Sequence, residues 1–306
     1  MTTLSNKHIG FIGVGNMGYG MLKNLVNAGA TVNVYDIDER ARTRAAELGS
    51  VVQASPAAVA AAATTVFVCV PAGDEVREVL FGNASDTANA VASTAAIGTL
   101  IVDHSTYNRA EAVAVAQRAQ AYGLRYADAP VSGMPHRAED GTLTTMFGGT
   151  EGDFTAAKPY LDVTGGFVVH CGAVGSGQLM KAFNNVIYDI NIAAICEMLP
   201  LAAKAGLDQD VLVKVATSGS ARSFASEHFI PKILAGEFCG DFSLNAAYKD
   251  IHNVQETATE LHAMTPVMNA MVAIYQQTIA QGLGEQPKSA MIKVYEQQLG
   301  VEFRHD

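Results

Sequence analysis

Three glycines near the start of the chain have the spacing of a phosphate-binding turn. Gly13, Gly15 and Gly18 form a GxGxxG pattern directly after the apolar run at residues 8–12. In such a turn the first glycine allows a tight bend, the second lets the backbone approach a pyrophosphate, and the third lets the helix pack closely. Asp36 follows Gly18 by 18 residues, near the separation of about 20 at which an acid meets the ribose. Together these residues predict a dinucleotide site.

The residue types after the second strand indicate which dinucleotide is bound. Asp36 accepts a hydrogen bond from a ribose 2′-hydroxyl and repels a 2′-phosphate, which favours NAD and makes NADP the less favoured cofactor. Arg40, Arg42 and Arg44 follow and could in principle hold a phosphate. Three arginines on the first turns of an amphipathic helix are more typical of a solvated face.

A polar stripe in the second half of the chain could carry acid–base chemistry. Lys181, Asn184, Asn185 and Tyr188 share one face of an otherwise apolar helix. Such a face lines a cleft or water, since burying it unpaired would be costly. Oxidation of an alcohol by hydride transfer needs a group that takes the hydroxyl proton, and a lysine does so if its pKa falls from about 10.4 toward neutrality. Lys249 is a second candidate for this proton acceptor. The ordinary alternative for the polar stripe is a face that is exposed to solvent and has no catalytic role.

Two loops that follow predicted strands carry hydroxyl groups. Ser105 and Thr106 follow one strand, and Ser132 and Gly133 follow another. Successive N–H groups in such turns can form a nest for a carboxylate. A serine or threonine here could equally cap a helix or stabilise an ordinary turn. His104 has no neighbouring ligand pattern, which favours a structural role.

Strands and helices alternate through the first half of the chain. This order predicts an α/β fold with a doubly wound, mostly parallel sheet, whose ligand lies beyond the carboxyl ends of the strands. The loops after Val70, Asp103 and Asp128 are therefore the important ones. The predicted strands cover 8–12, 31–35, 65–70, 99–103, 124–127, 141–149 and 167–170, and the predicted helices cover 39–48, 56–63, 74–80 and 109–121.

The periodicity changes after a glycine-rich segment near Gly175. No strand pattern follows, and the spacing of apolar residues over 178–299 predicts a series of consecutive helices. The sequence therefore predicts two domains, with residues 1–174 forming the nucleotide-binding domain and residues 175–306 an all-helical domain.

Composition narrows the classes of partner. The net charge of −10 on 306 residues leaves no basic footprint for nucleic acid. The longest apolar helix is interrupted by Asp189 and Glu197, so we expect no membrane partner. The residues before the first predicted strand contain no charged n-region followed by a cleavage site, so we expect no signal segment. Four separated cysteines without metal-ligand spacing predict reduced, mostly buried thiols, no metal site and a cytoplasmic location. They are Cys69, Cys171, Cys196 and Cys239.

Five motifs in order resemble the β-hydroxyacid dehydrogenase family. They are GFIGVGNMG at 10–18, DAPVSG at 128–133, GTLT at 141–144, GSGQLMKAFNN at 175–185 and YKD at 248–250. The match spans nearly the whole chain. It implies a Rossmann domain joined by a long interdomain helix to an all-α domain that associates into homodimers or homotetramers.

The resemblance implies an activity and roles for individual residues. The activity is NAD-dependent oxidation of a small anionic 3-hydroxy acid, 3-hydroxyisobutyrate-, serine- or glycerate-like, to the semialdehyde or keto acid, or the reverse reduction. Lys181 would be the general acid/base, and Asn185 would help to position the substrate. The residues implied at the substrate are Ser132, Gly133, Met134, Thr106 and Lys249. The residues implied at the cofactor are Gly13, Gly15, Asn16, Met17, Gly18, Asp36, Val70, Pro71, Asp74, Thr106 and Lys249.

Departures from the family pattern concern the substrate. Met134 stands where a second glycine is usual, and Lys288 lies where the family often has an aspartate just before Ser-Ala. Arg222 could bind a second anionic group.

Two other functions fit the same outline. An imine reductase shares the architecture, but such relatives usually replace the lysine, so Lys181 argues against one. A protein that senses NAD without chemistry is the alternative from another class.

Overall fold

The computed structural model describes residues 3–240 and 242–304, apart from the side chain of Lys249. The chain forms two compact units, one ending at Lys181 and the other beginning at Ala182. The predicted division, between residues 174 and 175, lay a few residues earlier. The helix Ser176–Lys204 therefore begins in the first unit and ends in the second.

Within the described residues, nine strands of the first unit form one sheet. They are β1 (His8–Ile12), β2 (Thr31–Tyr35), β3 (Val51–Val52), β4 (Thr65–Val68), β5 (Leu100–Asp103), β6 (Arg125–Asp128), β7 (Val131–Ser132), β8 (Leu143–Gly148) and β9 (Gly165–Gly172). The order is β3-β2-β1-β4-β5-β6-β8-β7, with β9 pairing to β8. The pairs from β3 to β6 are parallel, whereas β8 runs antiparallel to β6 and β7. The predicted doubly wound, mostly parallel sheet is confirmed.

Helices cover both faces of this sheet. They are α1 (Asn16–Asn27), α2 (Glu39–Glu47), α3 (Pro56–Ala61), α4 (Gly73–Phe81), α5 (Arg109–Ala121), α6 (Pro135–Glu139) and α7 (Glu151–Thr164). Residues of α1, α2 and α7 pack in the core on one face, and residues of α3, α4 and α5 in the core on the other. Because both faces are covered, all four residues of β4 are buried, as its continuous apolar run predicts.

The chain leaves β1 for β2 on one side, and β4 pairs with β1 on the other. The strand order therefore reverses beside β1. In open α/β sheets a ligand binds at such a reversal, outside the carboxyl ends of the strands. The glycine-rich turn follows β1 directly, so the fold brings this turn to the expected crevice.

Several elements differ from the prediction. The strand over 65–70 ends at Val68, because the N–H group of Val70 donates to the Ser105 hydroxyl at 3.0 Å instead of to a neighbouring strand. The two-residue strands β3 and β7 and the short α6 were not predicted, since such short elements carry almost no periodicity. Helix α7 was also missed; Thr150 caps it by accepting a hydrogen bond from the Asp153 N–H at 3.1 Å.

The second unit is helical, as predicted for its part of the chain. It contains α8 from residue 182 onward (the whole helix is Ser176–Lys204), α9 (Gln209–Ser218), α10 (Phe224–Leu234), α11 (Leu244–Glu260), α12 (Pro266–Thr278) and α13 (Ile292–Leu299). Its core contains side chains of α8, α10, α11 and α12. In the described residues the β-structure of this unit is limited to one isolated bridge between Ser243 and Pro287.

Helix α8 is long and apolar enough to cross a membrane by length and composition alone, with 29 residues and a window of mean hydropathy 1.6. Asp189 and Glu197 therefore do not exclude a span by composition, contrary to the prediction. Asp189 itself is fully buried within the second unit and pairs there with Lys288. A buried ion pair of this kind is typical of a helix in a protein core.

The four cysteines are free thiols. Cys196 is buried, Cys69 and Cys171 are partly buried, and Cys239 is exposed. The prediction of mostly buried thiols is thus confirmed for Cys196, holds only in part for Cys69 and Cys171, and is wrong for Cys239. Burial raises the pKa of the Cys69 thiol to about 12, which keeps it protonated at neutral pH.

Candidate active site

The three glycines of the GxGxxG turn have different surroundings, and two of them leave no room for a side chain. Gly13 has a φ of +89°, and a Cβ there would lie 2.2 Å from the carbonyl oxygen of Cys69. A Cβ on Gly18 would lie 2.1 Å from the carbonyl oxygen of Gly13, which explains how α1 starts so close to the turn. A Cβ on Gly15 would meet nothing within 4 Å. The space beside Gly15 is therefore open for a ligand to contact the backbone.

The start of α1 suits an anion. Gly15 is the N-cap and provides no side-chain cap, and the first turn contains no acidic residue. The N–H groups that begin the helix, at Asn16 and Met17, can therefore donate to a pyrophosphate. An open turn, an uncapped helix N-terminus and an acid at the end of β2 fit NAD.

Asp36 is held firmly at the end of β2. Its Oδ2 accepts from the Val14 N–H at 2.7 Å and its Oδ1 from the Asp38 N–H at 2.8 Å. A carboxylate has about four acceptor positions, so it can still accept from ribose hydroxyls. The Arg42 guanidinium donates to the Asp36 carbonyl oxygen at 2.6 Å, and Arg44 lies 4.7 Å from the Tyr19 ring centroid. Arg42 and Arg44 thus contact other parts of the first unit, whereas a purely solvated face would leave both guanidinium groups in water.

Lys181 and Thr106 meet in the first unit. The Lys181 Nζ donates to the Thr106 Oγ1 at 2.6 Å, across 75 residues of sequence. Both side chains are only partly buried. The Lys181 charge also acts on Cys69, as do the charges of Asp103 and Asp36. These groups therefore converge at the carboxyl end of the sheet, where the fold predicts a ligand.

The loop after β4 contains three residues that the resemblance associates with the cofactor. Val70 is partly buried and Pro71 is exposed. Asp74 lies in the first turn of α4 and pairs with Arg77. The Asp74 carboxylate is mostly exposed, so its role at the cofactor stays a prediction.

The loop after β5 is built on a buried carboxylate that sequence reasoning missed. Asp103 accepts from the hydroxyls of Tyr107 at 2.7 Å and Tyr126 at 2.6 Å, and from the Ser105 N–H at 2.9 Å. Burial raises the pKa of both tyrosines, and the Asp103 charge raises it further. Both hydroxyls therefore stay protonated and donate. Helix α5 is capped by Asn108, so the alternative in which Ser105 or Thr106 caps it is wrong.

His104 in this loop is structural, as predicted. Its Nδ1 lies 2.6 Å from the Ala129 carbonyl oxygen, and its ring stacks on Phe67 at 5.7 Å. Burial lowers the pKa of His104. The ring is therefore neutral, with its proton on Nδ1 to donate to that carbonyl.

A second buried carboxylate secures the start of α8. Asp128 Oδ1 accepts from the Gly175 N–H at 2.6 Å, and Oδ2 accepts from the Gln178 N–H at 2.8 Å. Burial raises the pKa of Asp128 to about 6, although these N–H donors lower it. Asp128 is thus ionised at neutral pH, where it caps the helix that carries Lys181.

The predicted carboxylate loop follows Asp128. Ser132 ends β7 and is partly buried, and Gly133 has a φ of +143°. This φ favours glycine, and a Cβ on Gly133 would in addition displace the Leu143 Cδ2, which would lie 2.8 Å away. Met134 is the N-cap of α6. In place of a second glycine, the chain thus has a bulky side chain at the start of a short helix.

In the second unit Asn185 contacts a carboxylate that the sequence analysis left without a role. The Asn185 Nδ2 donates to the Asp250 Oδ2 at 2.8 Å, and Asp250 is 4% exposed. This contact orients the Asn185 amide. Asp250, which follows Lys249 in the sequence, is thus a buried carboxylate in the second unit. The side chain of Lys249 lies outside the described residues, so its predicted roles stay predictions.

Two positions that depart from the family pattern have partners in the second unit. Lys288 is buried, pairs with Asp189, and lies 4.7 Å from the Tyr188 ring centroid. Arg222 donates to Glu227 Oε1 at 2.5 Å. Arg222 is therefore already paired, which weakens its prediction as a second anion receptor. Among the described residues no group of three or more metal-ligating side chains was found.

The sheet order, the open glycine turn and the acid at the end of β2 define a dinucleotide-binding fold whose site suits NAD. Comparison with known families agrees over nearly the whole chain. Residues 8–173 match the NAD binding domain of 6-phosphogluconate dehydrogenase, and residues 175–295 match the model described as NAD-binding of NADP-dependent 3-hydroxyisobutyrate dehydrogenase. The chain belongs to the β-hydroxyacid dehydrogenase family and is an NAD-binding oxidoreductase.

Three relatives illustrate the similarity. The 2-(hydroxymethyl)glutarate dehydrogenase of Eubacterium barkeri is 35% identical over 96% of each chain. The Mycobacterium tuberculosis 3-hydroxyisobutyrate dehydrogenase, solved with L-serine, is 32% identical with a TM-score of 0.81, over 94% of this chain and 98% of that one. The Salmonella typhimurium 3-hydroxyisobutyrate dehydrogenase is 28% identical with a TM-score of 0.83, over 94% of this chain and 100% of that one.

Proposed function

We propose that the protein oxidises a small 3-hydroxy carboxylic acid with NAD, or catalyses the reverse reduction, and that Lys181 is the general acid/base. The observation that supports this most directly is the 2.6 Å hydrogen bond from the Lys181 Nζ to the Thr106 hydroxyl. A neutral amine can donate an N–H to Thr106 and still present its lone pair to the substrate hydroxyl. NAD, when bound, supplies the hydride acceptor.

The chain's own residues would then divide the work as follows. Lys181 takes the hydroxyl proton during oxidation and returns it during reduction. The turn at Ser132 and Gly133 binds the substrate carboxylate through its N–H groups and hydroxyl. Asn185, oriented by Asp250, helps to position the substrate.

The substrate is proposed as a class: 3-hydroxyisobutyrate-, serine- or glycerate-like acids. Met134 takes the place of a small residue beside Gly133 and is partly buried, so its side chain is the feature by which the pocket would select among such acids. The 2-(hydroxymethyl)glutarate dehydrogenase relative adds a 3-hydroxy acid with a second carboxylate to the candidates.

The test of this proposal is NADH formation across a panel of hydroxy acids. The panel contains serine, threonine, 3-hydroxyisobutyrate, 3-hydroxypropionate, glycerate and 2-(hydroxymethyl)glutarate, with NADP in place of NAD as a comparison. We expect turnover of at least one 3-hydroxy acid. The ranking of kcat/KM across the panel then shows which substrate substituent fits beside Met134. NADH binding without turnover of any panel member would instead favour the NAD-sensing alternative.

The imine reductase alternative predicts a different result. An enzyme of that kind reduces a cyclic imine with NADPH or NADH and needs no lysine to take a hydroxyl proton. Lys181 and its contact with Thr106 favour the dehydrogenase. Reduction of imines that survives the loss of Lys181 would reverse that preference.

Replacing Asp36 tests the cofactor preference. Like charges in close contact cost several kcal/mol, so Asp36→Asn should narrow the ratio of kcat/KM for NAD over NADP by roughly tenfold or more. The asparagine keeps an oxygen that can accept from the Val14 N–H. Asp38→Asn is the matched control, because Asp38 is exposed and two residues away. If the ratio of kcat/KM for NAD over NADP were unchanged in Asp36→Asn, residues other than Asp36 would distinguish the two riboses.

We further propose that the protein is a homodimer or homotetramer. Apolar side chains on α8 and α9 of the second unit are about half exposed: Phe183, Ile187, Met198, Leu201, Val211 and Val215. Exposed apolar faces of this kind mark interaction sites, and a two-fold symmetric interface between identical copies uses the same face twice.

Ile187→Glu should disrupt this association, because Ile187 is 62% exposed in the single chain and a glutamate would bury its charge in the interface. We expect the subunit dissociation constant to rise by at least about 100-fold, measured by sedimentation velocity. Gln120→Glu, on the exposed face of α5, is the control. An oligomer unchanged by Ile187→Glu would assign the interface elsewhere.

We also propose a cytoplasmic location, with no nucleic-acid or membrane partner. The net charge of −10 supports the absence of these partners, since a phosphate backbone or an anionic membrane surface would repel the protein. The four free cysteines support the location.

A further inference from the structure

Gln178 holds the backbone on both sides of Thr106. Its Nε2 donates to the Ser105 carbonyl oxygen at 2.7 Å, and its Oε1 accepts from the Tyr107 N–H at 3.3 Å. The opposite amide orientation would set donor against donor and acceptor against acceptor, so the two contacts determine it. Gln178 is 3% exposed. These bonds are therefore shielded from competition by water.

The same residue belongs to the helix that carries Lys181. Gln178 and Lys181 are three residues apart on α8, and the Gln178 N–H is itself fixed by Asp128 at 2.8 Å. The loop at Thr106 and the start of α8 are thus joined through one side chain. The contact between the Lys181 Nζ and the Thr106 hydroxyl, at 2.6 Å, is formed across this junction.

Apart from the Lys181–Thr106 contact, the side-chain hydrogen bonds of this loop go toward the sheet. Ser105 bonds to Val70 and Asp103, and the Tyr107 hydroxyl bonds to Asp103. These contacts hold the loop to the end of β5 and to Val70, two residues past β4, and none of them joins the loop to α8. The Gln178 amide joins the loop to α8, because it bonds to the backbone immediately before and immediately after Thr106.

We propose that Gln178 is a positioning residue that sets the distance between the Lys181 amine and the Thr106 hydroxyl. The inference rests on the proposed function, in which that amine exchanges a proton with the substrate. A shift of about 1 Å in a reacting group can reduce the rate by about 100-fold. Loss of the Gln178 amide should therefore lower kcat much more than it weakens NADH binding.

Gln178→Met is the first test, since methionine has a similar volume and removes both hydrogen bonds. We expect kcat to fall by about 100-fold, while the KM for the hydroxy acid and the Kd for NADH stay within about threefold. The control is Gln53→Met, which removes the 2.8 Å bond from Gln53 Nε2 to Asn33 elsewhere in the first unit. A Gln178→Met enzyme with wild-type kcat, or with kcat and NADH affinity reduced in parallel, would overturn the proposal.

Gln178→Glu keeps the test informative if the methionine variant folds poorly. A protonated glutamic acid can donate to the Ser105 carbonyl and accept from the Tyr107 N–H, whereas a glutamate cannot donate. Nearby Asp103 and Asp128 would raise the pKa of the new carboxyl group, and Lys181 would lower it. We expect kcat relative to wild type to rise about tenfold as the pH falls from 8.5 to 6. A ratio that is constant across this range would count against the proposal.

Hydrogen exchange separates this inference from the proposed function. The Tyr107 amide should exchange about tenfold faster in Gln178→Met than in wild type, whether or not a substrate is known. Fast exchange with normal kcat would overturn the positioning role and leave the dehydrogenase intact. A wild-type protein that turns over no hydroxy acid would refute the proposed function, and the exchange rate alone would then decide whether Gln178 holds the loop.

Discussion

Replacing Lys181 with alanine is expected to lower kcat by about 10³-fold, within the range typical of a lost general acid/base. The reason is that the hydroxyl proton of the substrate then has no amine to receive it. The turn at Gly13 to Gly18 and the acid at Asp36 do not depend on this side chain. The Kd for NADH, measured by fluorescence titration, should therefore stay within about twofold of wild type.

Two further variants sharpen the Lys181 result. Lys204→Ala removes an exposed lysine at the end of the same helix and should leave kcat unchanged. Lys181→Arg keeps the charge but not the proton exchange, since arginine is not deprotonated in proteins. Its kcat should be as low as that of Lys181→Ala. An arginine variant with near-normal kcat would show that the residue acts only as a positive charge.

The second large effect is expected at the glycine turn, where two similar substitutions should fail for different reasons. In Gly15→Ala the new Cβ meets nothing within 4 Å, and the φ of −66° suits an L-residue. The protein should fold normally, with Tm within about 2 °C of wild type. The methyl group would occupy the space that the pyrophosphate needs, so the Kd for NADH should rise by roughly 100-fold, or about 3 kcal/mol.

Gly18→Ala should instead damage the fold itself. Its Cβ would lie 2.1 Å from the Gly13 carbonyl oxygen, so α1 must move away from the turn. Overpacking of this kind costs about 1–3 kcal/mol, and the displaced helix N-terminus would no longer meet the phosphates. We expect both a lower Tm and weak NADH binding.

Thermal unfolding with and without NADH distinguishes the two cases. A ligand that binds only the folded state stabilises it by RT ln(1 + [L]/Kd), so at a fixed NADH concentration the rise in Tm becomes smaller as Kd increases. Gly15→Ala should have the wild-type Tm without NADH and almost no rise with it, whereas Gly18→Ala should have a low Tm in both. Gly152→Ala, on α7 with its nearest contact at 3.8 Å, is a neutral control. Wild-type NADH affinity in Gly15→Ala would mean that the pyrophosphate does not approach this turn.

The sequence by itself determined the nucleotide-binding half of this protein. The GxGxxG turn, α1, β2 and Asp36 are consecutive, and their glycine requirements and spacing are local properties. The alternation of strands and helices determined the sheet, and the later change of period determined the helical second half. The helical face that Lys181 shares with Asn184, Asn185 and Tyr188 made it a candidate, and the resemblance to the family implied its role.

Only the tertiary structure decided which groups meet Lys181 and what holds them. Lys181 and Thr106 are 75 residues apart in sequence, Asp128 and Gln178 are 50 apart, and Asn185 and Asp250 are 65 apart. Asp189 and Lys288 pair across 99 residues. No periodicity links such distant positions, because a local pattern reports which face of an element is buried and not which element covers it. The fold of the sheet and helices creates these contacts, and the proposed chemistry depends on them.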